Sequence, residues 1–295
     1  INTVSTASTP HQYILKDANG KTVKELQNNN EVLDKLKTDN FVVKEFITIP
    51  NAVGDEMNAW IIKPKNFDPN KKYPLFMFQY SGPGSQQVSN SWDAGNTIWF
   101  EMLAQKGYIV ACVDGRGTGF KGSKFKKTIY KNLGKYEIED QITAAKWFGN
   151  QSYIDQSRIG IFGWSYGGYM SALAMTKGAD VFKMGIAVAP VTNWRYYDSV
   201  YTEKFLQTPQ ENPEGYDQNS PTTFAHLLKG KFLMIHGTAD DNVHFQNAME
   251  FSEALIQHKK QFEFMAYPDK AHGIVGGQTR AQLYQKMTDF ILENL

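Results

Sequence analysis

The sequence predicts an α/β fold, a mostly parallel sheet covered by helices on both faces. Three observations carry this. Short apolar runs alternate with helix-forming segments through most of the chain. Two runs that precede this alternation, residues 41–50 and 57–63, are joined by a polar turn, as antiparallel neighbours are. Near residue 160 an apolar run passes through a glycine-flanked serine straight into a helix-forming segment.

Residues 1–40 are polar and read as irregular, with Asn28-Asn29-Asn30 as a turn. Within them Tyr13-Ile14-Leu15, Asp17-Ala18-Asn19-Gly20 and Thr22-Val23 read as a hairpin with little core of its own, which should belong to a larger sheet. Strands are predicted at 41–50, 57–63, 73–79, 108–113, 159–162, 184–189, 232–236 and 262–267. Helices are predicted at 99–105, 137–149, after residue 165, at 245–258 and at 278–294. Parallel strands buried on both faces read as continuous apolar runs. Their ligands bind beyond the carboxyl ends of the strands. Residues 41–295 contain no internal repeat and no low-complexity tract.

A chain of 295 residues suits one large α/β domain, or such a domain with a small appendage. With 41% hydrophobic and 21% charged residues it can fill a core without staples. The net charge of +1 gives no electrostatic footprint for nucleic acid. Cys112 is the only cysteine, so an intrachain disulfide is excluded, and its apolar run marks it as a buried thiol. No run is long enough to span a membrane, and no signal peptide is recognisable. The chain starts at Ile1 rather than Met, which suggests a piece of something longer.

Gly163-Trp164-Ser165-Tyr166-Gly167 reads G-x-S-x-G between a strand, 158–162, and a helix, 169–175. That context is the nucleophile elbow of the α/β-hydrolase fold. The glycines are needed because side chains there would collide with neighbouring backbone. The nucleophile requires a base, and the base an orienting acid. Of six histidines, His11, His226 and His258 lie in polar segments and read as bystanders. His236 ends a strand and could support a site, whereas His244 precedes a helix and suits a supporting role behind the site or a capping role. His272 follows a late strand, where this fold places its general base, and Gly273 would let its loop approach the elbow. Asp240 and Asp241 follow another strand end. One could orient the imidazole and the other cap the helix near His244; the pattern does not choose between them. The chain order Ser, Asp, His is the order of this fold. The oxyanion needs donors. One is the amide of Tyr166, and a second should come from the loop Gln79-Tyr80-Ser81-Gly82-Pro83-Gly84, where Tyr80 could offer its hydroxyl.

Asp114-Gly115-Arg116-Gly117, the elbow extended to Gly168-Tyr169, His236–His244 and His272-Gly273-Ile274 together resemble the prolyl oligopeptidase family of serine peptidases. The run Trp194-Arg195-Tyr196-Tyr197-Asp198-Ser199-Val200-Tyr201-Thr202-Glu203 resembles its dipeptidyl peptidase IV subfamily. The resemblance covers residue 41 to the C-terminus. It implies Ser165 as nucleophile, Asp240 as orienting acid, His272 as base, and Tyr80 as an oxyanion donor beside the Tyr166 amide. It implies a proline slot walled by Tyr166, Val191, Trp194, Tyr197, Tyr201 and Val243, with Asn242 holding the substrate backbone. Proline is flat, rigid and without an N–H, so an aromatic slot can select it by shape. From residues alone, Trp194, Tyr197 and Tyr201 would be taken for core on one helical face, given their spacing of three and four.

The resemblance further implies an N-terminal β-propeller that covers the active site and carries paired glutamates for the substrate amino terminus. Residues 1–40 then read as the end of that propeller and a linker, and 41–295 as the catalytic domain. The expected activity is release of N-terminal X-Pro or X-Ala dipeptides through an acyl-enzyme, with neither metal nor organic cofactor; no H-E-x-x-H occurs. The rival readings are a related prolyl oligopeptidase, acylaminoacyl peptidase or esterase, and a non-catalytic binding homologue. Peptide substrates with proline or alanine second, a homodimer through the hydrolase domain and export to the periplasm complete the expectations. For the helix 278–294, a dimer contact and a cover for its own sheet are both open.

Overall fold

The computed structural model describes residues 1–39 and 41–295. The boundary expected between 40 and 41 therefore falls at a residue outside those described. The chain opens with β1 (Asn2–Thr6), β2 (Thr9–Lys16) and β3 (Thr22–Gln27), which form a small antiparallel sheet, followed by helix α1 (Asn30–Thr38). The expected hairpin is β2–β3: the Asp17 carboxylate accepts from the amides of Asn19 and Lys21, both at 2.9 Å. It gains β1 rather than joining the main sheet. Hydrogen bonds from the Ala7 amide to Asn90 Oδ1 (2.9 Å) and from the Trp92 amide to Ser5 Oγ (3.2 Å) hold this sheet to the rest. Helix α1 departs from the irregular segment expected there. Its Val32, Leu33 and Leu36 stand at helical spacing among polar residues and none is fully buried, and the asparagine turn starts it, with Asn29 in the left-handed region at φ 54°.

The eight predicted runs form one sheet: β4 (Glu45–Pro50), β5 (Glu56–Ile62), β6 (Tyr73–Phe78), β7 (Ile109–Asp114), β8 (Ile154–Trp164), β9 (Met184–Val188), β10 (Lys231–Gly237) and β11 (Glu263–Tyr267). Their spatial order is β11-β10-β9-β8-β6-β7-β5-β4. β4 pairs antiparallel with β5 and β5 with β7; the remaining pairs are parallel. The pleat sorts the core into two layers. Leu75 and Met77 face one and Phe76 and Phe78 the other.

Helices α2 (Ala94–Gln105) and α9 (Thr279–Asn294) cover one face. On the other lie α3 (Gly122–Lys127), α4 (Lys135–Gly149), α5 (Tyr166–Thr176), α6 (Ser199–Leu206), α7 (Pro213–Asp217) and α8 (Gln246–Gln257). The short helices α3, α6 and α7 were not anticipated, because one or two turns carry too little periodicity to be read. Local caps start two of them: Asp198 accepts from the Tyr201 amide at 2.8 Å, and Asn212 precedes Pro213. Helix α9 covers its own sheet. Leu283, Met287, Phe290 and Ile291 are buried there, and the Trp99 indole donates to Thr288 Oγ1 at 2.9 Å. Cys112 is wholly buried on β7, and burial raises its thiol pKa further from reactivity.

Candidate active site

Strand β8 ends at Trp164, and Ser165 turns the chain into α5 with φ 61° and ψ −118°. A non-glycine residue in this region is strained, and the turn lifts the serine out of the sheet's carboxyl edge. The flanking glycines are there for space. A Cβ on Gly163 would lie 2.3 Å from the carbonyl of Gly167, and one on Gly167 would lie 2.5 Å from the carbonyl oxygen of Gln79. The Ser165 amide donates to the Val188 carbonyl at 2.8 Å, fixing the turn against β9. Tyr166 is the first residue of α5, where backbone amides have no acceptor within the helix and point outward.

Two further strand ends bring their loops to the same rim. After β10, Gly237 lies so close to the loop following β11 that a Cβ would come within 2.1 Å of the Lys270 carbonyl oxygen. The amides of Thr238 and Ala239 bond to the carbonyls of Tyr267 and Lys270 (3.0 and 3.1 Å). Close approach thus depends on Gly237 rather than on Gly273, where a Cβ would meet only the Val275 side chain at 3.7 Å. The consequence is that Asp240 Oδ2 lies 2.7 Å from His272 Nδ1. Asp240 Oδ1 accepts from the amides of Asn242 (3.0 Å) and Val243 (2.9 Å). Buried His236 completes the carboxylate's shell, with Nε2 3.3 Å from Oδ2 and 2.8 Å from the Val243 carbonyl. Burial opposes the charge on Asp240. The hydrogen bonds from His236 and His272 outweigh it and hold the carboxyl well below its ordinary pKa. With Nδ1–H directed at that carboxylate, the neutral imidazole carries its lone pair on Nε2. Asp241 is exposed and does not cap a helix: α8 begins after Phe245 with no side-chain cap. His244 is exposed and contributes its carbonyl to the Asn247 amide at 2.9 Å, so a side-chain cap from it is also absent.

The loop bearing His272 is tied to the elbow. The Trp164 indole donates to the His272 carbonyl at 3.1 Å. Arg280 lies over the Trp164 ring at 4.7 Å and donates to the Gly273 carbonyl at 2.7 Å. On the opposite side, the Tyr80 phenol lies near the Ser165 side chain. Burial raises the Tyr80 phenol against a smaller opposing effect of the Ser165 side chain, so Tyr80 stays a protonated donor at neutral pH.

The aromatic residues converge beside the serine. The Trp194 ring lies 5.4 Å from Tyr166, 5.7 Å from Tyr197 and 5.9 Å from Tyr201, and Tyr197 lies 5.4 Å from Tyr201. They do not share one helix, as their spacing suggested. Trp194 belongs to a single 3-10 turn, Tyr197 is extended at φ −111° and ψ 161°, and only Tyr201 is on α6. Val191, Trp194 and Val243 are buried behind, whereas Tyr80, Tyr197 and Tyr201 are partly accessible. The Tyr197 hydroxyl donates to Asn242 Oδ1 at 2.6 Å and so links the aromatic group to the Asp240 loop. His226 and His258 face each other on the surface, 5.6 Å between ring centroids, and His11 lies on β2.

Three supporting groups escaped the sequence reading. Gln79 donates to the Gly167 carbonyl at 2.7 Å and docks the first turn of α5. Arg116, read only as part of a motif, forms a buried fork with Asp140, donating from Nε (3.0 Å) and Nη2 (2.7 Å). Glu137 on α4 accepts from the Tyr166 hydroxyl at 2.6 Å. Nothing local marks these residues, since each partner lies on another element.

A family model described as "Prolyl oligopeptidase family" matches residues 97–295. The chain is 44% identical over 275 residues to prolyl endopeptidase FAP of Homo sapiens, covering 91% of this chain and 35% of the relative. It is 41% identical to dipeptidyl peptidase 4 of Sus scrofa, covering 89% of this chain and 34% of that protein. Among solved structures, Porphyromonas gingivalis dipeptidyl peptidase 4 superposes with a TM-score of 0.96 at 48% identity, over 100% of this chain and 42% of that one. The chain thus spans about a third of the length of these curated relatives.

Proposed function

The chain belongs to the prolyl oligopeptidase family, and from that premise we propose that it is the catalytic part of a serine exopeptidase releasing N-terminal X-Pro or X-Ala dipeptides. The observation that carries this reading is the 2.7 Å bond between His272 Nδ1 and Asp240, on the rim where Ser165 sits strained at φ 61°. Ser165 Oγ attacks the carbonyl that follows proline, and His272 Nε2 takes its proton. The oxyanion is held by the Tyr80 hydroxyl and the Tyr166 amide. The imidazolium, steadied by Asp240, gives its proton to the leaving amine. Water, deprotonated by the same imidazole, then hydrolyses the ester and returns the proton to Ser165. Tyr166, Trp194, Tyr197 and Tyr201, backed by Val191 and Val243, form the slot for the proline ring, and Asn242 holds the peptide backbone beside it.

A propeller preceding this chain would supply selection for dipeptide length. Its presence, the peptide substrates, a homodimer and an exported location belong to the proposal. The relative named a prolyl endopeptidase favours a second reading, cleavage after proline inside longer peptides. The test uses the full-length protein, a fluorophosphonate probe, and Gly-Pro, Gly-Ala and N-acylated Gly-Pro chromogenic substrates. An adduct on Ser165 with preference for the free amino terminus is expected. Absence of an adduct overturns the peptidase reading, and preference for the acylated substrate selects the endopeptidase.

A further inference from the structure

Glu137 is a carboxyl group with 1% exposure inside the domain, and the reaction above does not use it. Its two oxygens are both engaged. Oε1 accepts from the Tyr166 hydroxyl at 2.6 Å, and Oε2 accepts from the Gly134 amide at 3.0 Å, at the start of α4. Helix starts are capped adequately by exposed serine, threonine, asparagine or aspartate. A buried glutamate costs far more than such a cap unless its hydrogen bonds are strong. Burial indeed raises its pKa to about 7, against the bonds from Tyr166 and Gly134.

Its partner sits at the centre of the site. Tyr166 follows Ser165 in the chain, so its amide and its ring move together. The ring is packed between Tyr80 (6.1 Å), Tyr169 (5.3 Å) and Trp194 (5.4 Å). Those contacts are to the ring itself. The hydrogen bond to Glu137 fixes the hydroxyl end of the side chain. We propose that Glu137 is a positioning residue: its tether on the Tyr166 hydroxyl fixes one wall of the proline slot and, through the same residue, the direction of the oxyanion-binding amide. This rests on the catalytic reading given above.

The charged and titratable groups near Glu137 are Asp140, paired to Arg116, with Glu139 beside that pair, and the phenols of Tyr166, Tyr169 and Tyr201. Among them, it is the Tyr166 hydroxyl that donates to the carboxylate.

The experiment measures kcat/KM per active site, titrated with a fluorophosphonate, for Gly-Pro and Gly-Ala chromogenic substrates in the full-length protein. Tyr166→Phe keeps the ring and removes the tether. Glu137→Gln keeps the length but has one acceptor oxygen for two donors, so it cannot accept from both the phenol and the Gly134 amide. Each should lower the per-site value for Gly-Pro about tenfold, as loss of one hydrogen bond to a charged group does. Each should also lower the Gly-Pro to Gly-Ala ratio, and the double variant should be no worse than the poorer single one. A purely structural role would reduce the titrated fraction and leave both the per-site value and the ratio unchanged; that result overturns the proposal. If Glu137→Gln does not fold, Tyr166→Phe decides alone by the same ratio. Failure of the wild type to label overturns the catalytic reading itself, and this inference with it.

Discussion

Replacing Asp240 with asparagine tests the site at its most constrained atom. The carboxylate has four polar neighbours: the amides of Asn242 and Val243 on Oδ1, and His272 Nδ1 and His236 Nε2 facing Oδ2. Asparagine offers one oxygen. The two backbone amides cannot turn away, so they retain it, and the new NH2 faces His272. It can bond there only to an unprotonated Nδ1, which moves the ring proton to Nε2. An imidazole in that tautomer cannot accept a proton from Ser165. The expected fall in kcat is about 10⁴-fold, equivalent to about 5 kcal/mol of barrier. The assay is turnover of a Gly-Pro chromogenic substrate by the full-length protein near neutral pH, with circular dichroism to confirm that the fold is kept. The His236 ring still has the Val243 carbonyl at 2.8 Å, so the loop should hold. A fall of less than tenfold in a folded variant would refute the orienting role. The pH dependence gives a second check. The folded pKa of Asp240 is depressed, so its stabilisation is complete above the unfolded value and is lost as pH falls through the folded one. The stability gap between wild type and variant should therefore narrow only in acid.

Ser165→Ala should abolish turnover and fluorophosphonate labelling while the thermal unfolding profile is retained; turnover near wild type would exclude Ser165 as nucleophile. Gly163→Ala places a methyl group 2.3 Å from the backbone of Gly167, which cannot yield, and should cost about 3 kcal/mol or prevent folding; chemical denaturation with an unchanged midpoint would contradict this geometry. Arg116→Met strands the buried Asp140 carboxylate and should cost about 3–5 kcal/mol, read in the same way. For Glu137 the sign is opposite to that of Asp240, because its folded pKa is raised from 4.5 to about 7. Its contribution is fully present below about pH 4.5 and is lost as pH rises through about 7. Glu137→Gln should accordingly gain about 3 kcal/mol relative to wild type between acid and mildly alkaline pH. A stability difference independent of pH would show that the carboxyl is not held as described.

The sheet and the elbow serine are legible in the sequence. Strand runs such as 73–78 and 109–114 are apolar because both faces are covered, so composition reports their burial directly. The elbow is legible because a sharp turn between strand and helix demands glycine on both sides of Ser165. Those signals are local, and local signals survive in a sequence. What only the tertiary structure decided is how separate segments meet. Asp240, the acid that the resemblance implies, faces His272 with its other oxygen on the amides of Asn242 and Val243, whereas Asp241 is exposed. Glu137 reaches Tyr166, Gln79 reaches Gly167 and Arg116 reaches Asp140 across 29, 88 and 24 positions of chain. The short helices are too brief for a periodic face to be read, and Trp194, Tyr197 and Tyr201 take helical spacing without sharing a helix. A hydrogen bond between distant elements leaves no mark on either segment, because its partner is defined only when the chain has folded.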